Sequence, residues 1–176
     1  MFSDFKPILK VLLRFIIIYL VLLFAYQMYL NPFEGKDLDP FSYWVADQVA
    51  FIQNFLGYFT ELIPYPKFET VVFQTEKMDV SRMVEGCNVV SILILFVAFI
   101  FAFYKGWKTF LFVIGGVIII HIANVLRIVG LNLVILKYPE YANFTHDYLF
   151  PAVIYGMVVV LWLVWIKFFA LRNENI

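Results

Sequence analysis

Apolar residues gather along this chain in runs long enough to cross a bilayer, separated by shorter polar stretches, and that alternation predicts the architecture. A helix needs about 20 residues to traverse a hydrocarbon core of about 30 Å. Four runs approach that length, at about 10–30, 88–104, 107–130 and 148–166. Lys10 and Arg14 stand in the opening turns of the first, where long stems let their charges snorkel to the headgroups. Its far end reads Tyr26, Gln27, Met28, Tyr29, Leu30, Asn31, Pro32, without the small residues of a signal cleavage site, so it is expected to stay as an anchor. The third run stays apolar to about Leu136 apart from His121, Asn124, Arg127 and Asn132, and Gly130 is a natural place for it to bend or end. Pro151 falls in the first turn of the fourth, where its missing N–H costs least. The expected fold is an all-α integral membrane protein of about four transmembrane helices, one domain over residues 1–176.

Charge orients these spans. Lys6, Lys10 and Arg14 flank the first, Lys105 and Lys108 the turn between the second and third, and Lys167 and Arg172 the end of the fourth. By the positive-inside rule both termini are cytoplasmic. The connection 31–86 then lies outside, with nine acidic residues against Lys36, Lys67, Lys77 and Arg82. Within it Val45, Val49, Ile52, Leu56, Phe59 and Ile63 recur at helical spacing among Asp47, Gln48, Gln53, Asn54 and Glu61, which predicts an amphipathic helix along the membrane surface or a lid. After Pro64 and Pro66, the Val-, Thr- and Phe-rich stretch from Phe68 to Val80 predicts a short β segment or hairpin. No internal repeat or low-complexity segment interrupts the chain.

Composition agrees. Hydrophobic residues make up 64% of 176 and charged residues 15%, with a mean hydropathy of +0.88. A soluble domain is excluded. Zero net charge without a basic run excludes a nucleic-acid surface. A single cysteine, Cys87, excludes an intramolecular disulfide and a cysteine-rich metal site. His121 and His146 lack the further ligands a metal needs, so neither metal nor cofactor is expected.

Helical rise brings three chemically distinctive residues to one depth. At about 1.5 Å per residue, Cys87 lies roughly 27 Å from Lys105, Arg127 roughly 29 Å from Lys108 and His146 roughly 31 Å from Lys167, all toward the outer side. Each has a plainer reading: a packing cysteine, a snorkelling arginine, an interfacial loop histidine with Asp147 beside it. Their coincidence favours a site. Cys87 follows Gly86 at the expected start of a helix, where free N–H groups favour a thiolate. Asn124, one turn from Arg127, would orient its guanidinium or add a polar group to the same pocket. His121 belongs to that stripe about 9 Å deeper and reads as a hydrogen-bonded structural histidine. A cysteine beside a histidine suits acyl transfer through a thioester, with Arg127 on the oxyanion. The expected catalytic set is Cys87, Arg127 and His146, with Asn124 in support.

The segments EGCNVVSILILF (Glu85 to Phe96), ANVLRIVGLN (Ala123 to Asn132) and HDYLFPAVIYG (His146 to Gly156) resemble the exosortase and archaeosortase family of membrane transpeptidases over about Met83 to Ile166. The resemblance aligns Cys87 with the family's nucleophile, Arg127 with its arginine, His146 with its histidine and Asn124 with its motif asparagine. It implies an enzyme of the cytoplasmic membrane, with its site on the extracytoplasmic face. The implied partners are the lipid bilayer and membrane-anchored proteins whose C-terminal sorting tail comprises a short motif, a transmembrane helix and a basic cluster. The oligomeric state is not legible. Two rivals remain: a non-enzymatic scaffold in which Arg127 pairs with Glu85, and a lipid-headgroup enzyme that would tolerate Cys87→Ser.

Overall fold

The computed structural model describes residues 6–65 and 68–170; Pro66, Lys67 and Arg172 lie outside them. Its elements run α1 (Lys6–Leu30), α2 (Pro40–Phe55), β1 (Thr60–Tyr65), β2 (Thr70–Thr75), β3 (Met78–Met83), α3 (Val90–Ala102), α4 (Trp107–Lys137), α5 (Ala142–Phe144) and α6 (Phe150–Trp165). Three helical stretches are long and apolar enough to span a membrane: Ile8–Leu30, Trp107–Lys137 and Pro139–Ala170. The protein is thus a mostly helical, multi-pass membrane protein. The second expected span is shorter than its apolar run, because α3 has 13 residues and rises only about 20 Å. The third does not end at Gly130 but continues to Lys137.

The last span also begins earlier than Tyr148. A 3-10 turn (Pro139–Tyr141), α5 and a π-helical turn (Thr145–Leu149) lead without interruption into α6, and a second π turn (Ile166–Ala170) continues it. Pro151 explains the wider turn beneath it. Proline has no N–H to offer the previous turn and its ring crowds that carbonyl, so the backbone relaxes into the i→i+5 pattern.

By contact density the described chain divides into two compact units, one drawn from 6–29, 90–120 and 155–170, the other from 30–89 and 121–154. In the first, Phe96, Ile100, Ile120 and Trp165 are fully buried. Phe99 stacks on Trp162 with centroids 4.3 Å apart, and Trp165 on Phe169 at 4.9 Å. Gly116 faces the Phe96 ring so closely that a Cβ there has no room. Small residues at such a crossing let transmembrane helices approach.

In the second unit Asp39 caps α2, its Oδ1 accepting from the N–H groups of Phe41 and Ser42 at 3.1 and 3.0 Å, with Pro40 following. Such a cap is worth about 1 kcal/mol. Val45 and Val49 face a core completed by Phe73, Met83, Val125, Ile128 and Val129, while Phe51 and Phe55 face outward. The helix stops at Phe55, so the expected stripe does not continue through Phe59 and Ile63. Gly57 takes φ +88° and turns the chain, and Ile63 lies in β1. Three antiparallel strands in the order β1-β2-β3 stand where a hairpin was expected. Thr75 pairs with Met78 across Glu76 and Lys77, both with positive φ, as a two-residue I′ turn demands. Pro64 sits in the edge strand β1, where a missing donor is tolerated.

Candidate functional site

Cys87 ends a 3-10 turn over Glu85–Cys87, its N–H donating to the Val84 carbonyl at 2.9 Å. It is therefore not at the start of α3, which begins at Val90. The two residues between are held tightly. Asn88 is buried and its Nδ2 donates to Ser42 Oγ on α2 at 2.8 Å. Val89 is buried at φ +67°, a conformation that costs an L-residue about 1–2 kcal/mol and is sharper still for a β-branched one. Strain of this kind persists only where surrounding contacts over-determine the backbone.

Asn124 supplies one such contact. Fully buried on α4, it donates from Nδ2 to the Cys87 carbonyl oxygen at 3.0 Å. Its Oδ1 has no hydrogen-bond partner among the described residues. Through its Nδ2, Asn124 thereby ties α4 to the backbone of Cys87. One helical turn on, Arg127 is half-buried, and no described carboxylate lies within 4.0 Å of it.

His146 comes from the π turn before α6. It is 62% exposed, and its Nδ1 lies 2.8 Å from Asp147 Oδ1. With Asp147 accepting from an Nδ1–H, the Nε2 lone pair is left for other work.

Cys87, Arg127 and His146 line one cavity of about 490 Å³ within the second unit. Sequence reasoning does not single out its other polar walls, Ser81 and Arg82 of β3 and Asn143 of α5. Ser81 donates to Asn132 Oδ1, and Asn132 Nδ2 donates to Gln53 Oε1 at 3.0 Å, which ties β3 to α4 and α4 to α2. His121 is elsewhere. Its Nε2 lies 3.0 Å from Gln48 Oε1 and its ring stacks on Trp44 at 5.0 Å. Among the described residues no cluster of three metal-ligating side chains occurs.

The arrangement offers a thiol, a guanidinium and an imidazole in one concave space, two of them half-buried. Compared with known proteins, the chain matches the family model described as Transmembrane exosortase over residues 6–170, nearly its whole length. No curated protein matches it. No solved structure matches it either.

Proposed function

The chain belongs to the transmembrane exosortases, and from that premise we propose that it is a cysteine transpeptidase that cleaves the C-terminal sorting tails of exported membrane proteins through a thioester. Membership carries a membrane transpeptidase-like function and membrane-protein substrates at the level of the family. The finer reading rests on one observation: Cys87, Arg127 and His146 line a single cavity.

In this mechanism His146 Nε2 takes the Cys87 proton, and the thiolate attacks the scissile carbonyl carbon. Arg127 faces the oxyanion that forms. As the intermediate collapses, the C–N bond breaks, the leaving amine takes the proton from His146, and the acyl group stays on sulfur as a thioester. An incoming amine or hydroxyl resolves it by transpeptidation, or water by hydrolysis; either gives its proton to His146 and restores the thiol. Asp147 accepts from Nδ1–H and keeps the base in the productive tautomer. Asn124 is a positioning residue acting through the Cys87 backbone. The site faces the extracytoplasmic side of the cytoplasmic membrane and both termini face the cytoplasm, in keeping with the placement of lysine and arginine.

Processing of a co-expressed membrane protein bearing a candidate sorting tail tests this. Cys87→Ser, Arg127→Ala and His146→Ala each abolish tail cleavage while expression and membrane insertion remain intact. Cleavage that survives Cys87→Ser removes the thioester mechanism and leaves the scaffold or lipid-enzyme readings.

A further inference from the structure

The described residues of the first unit carry charge of one sign. They include Lys6, Lys10, Arg14, Lys105, Lys108 and Lys167 and no aspartate or glutamate. Within this unit lies a cavity of about 820 Å³, distinct in its residues from the one at Cys87. Arg14 of α1 and Lys105, just beyond α3, line it together with Phe15, Phe99, Phe103 and Trp162. Neither cation has a carboxylate within 4.0 Å among the described residues.

These walls ask for a ligand with two natures. Lipid tails are as apolar as the aromatic and aliphatic side chains that line most of this cavity. Two cations beside such a space favour an anionic ligand. A guanidinium pairs with phosphate oxygens through two parallel N–H donors, and an ammonium adds a point charge. Basic pockets between transmembrane helices bind anionic headgroups for this reason. We propose that the cavity binds an anionic phospholipid of the surrounding bilayer, its acyl chain along Phe15, Phe99 and Phe103 and its phosphate on Arg14 and Lys105. The transmembrane helix of a sorted protein is a poorer occupant, because the basic cluster implied for such tails is repelled by six like charges.

Trp162 reports occupancy. The full-length protein is reconstituted in phosphatidylcholine vesicles doped with dibrominated phosphatidylglycerol or dibrominated phosphatidylcholine, and Trp162 quenching is taken as the difference from Trp162→Phe. With each interfacial cation worth about fivefold, half-quenching needs about thirtyfold less phosphatidylglycerol than phosphatidylcholine. Arg14→Gln with Lys105→Gln abolishes the preference, Arg14→Lys keeps it, and Lys108→Gln, outside the cavity lining, keeps it. Equal quenching by both lipids overturns the proposal, as does a preference that survives the double variant or an absence of Trp162-dependent quenching by either lipid. Tail cleavage enters none of these readings, so failure here and failure of the transpeptidase assignment are separable.

Discussion

Replacing Asn124 with alanine separates holding the nucleophile from holding the fold. The side chain is fully buried, donates to the Cys87 carbonyl at 3.0 Å, and has an Oδ1 without a partner among the described residues. Two stability terms oppose each other. Losing the donor takes a partner from the part-buried Cys87 carbonyl at about 1–3 kcal/mol, while deleting the unsatisfied Oδ1 relieves a penalty of about the same size. The net loss is expected to stay near about 1 kcal/mol, a melting shift of about 2–4 °C for a chain of this length. Cleavage responds differently, because the Cys87 backbone loses its tie to α4. A displacement of about 1 Å costs about a hundredfold in rate, or about 2.7 kcal/mol of barrier. Initial rates of tail cleavage by purified protein in nanodiscs, divided by the monodisperse folded fraction, measure it. A rate per folded molecule within about threefold of wild type would refute the positioning role, since a tenfold change already corresponds to about 1.4 kcal/mol. A large fall in melting temperature with that rate intact would make Asn124 a structural residue only.

What the sequence reveals follows from which forces act locally. Lipid demands length and hydropathy in one uninterrupted segment, so the spans that include residues 10–30, 107–130 and 148–166 are legible in outline. The run at 88–104 misleads because hydropathy does not see backbone conformation: Asn88 and Val89 are spent on a buried, positive-φ connection before α3 starts. Periodicity overextends α2 in the same way, since Phe59 and Ile63 keep the helical spacing after Gly57 has turned the chain. The β2–β3 turn carries Glu76 and Lys77 where an I′ turn ordinarily shows asparagine and glycine, so its signal is absent. At the site, helical rise suffices to group Cys87, Arg127 and His146, but it says nothing of contacts between distant segments. Asn124 reaches Cys87 across 37 residues, and Arg82 enters the cavity from a strand whose pairing is set by its neighbours.

Two further substitutions bear on the roles of single contacts. Asp147→Asn is expected to lower cleavage up to about fivefold with a melting shift of no more than about 4 °C, because a pair this exposed is worth at most about 1 kcal/mol; an unchanged rate would remove Asp147 from the mechanism. Gly116→Ala tests packing instead, since its new Cβ meets the ring of Phe96, itself fully buried and unable to swing into solvent. Overpacking of this kind costs about 1–3 kcal/mol, read as a lower melting temperature in detergent with cleavage per folded molecule unchanged. Phe96→Leu, which shortens the obstructing ring, recovers part of the loss when combined with Gly116→Ala. A double variant no more stable than Gly116→Ala alone would mean that the penalty arises somewhere other than this contact.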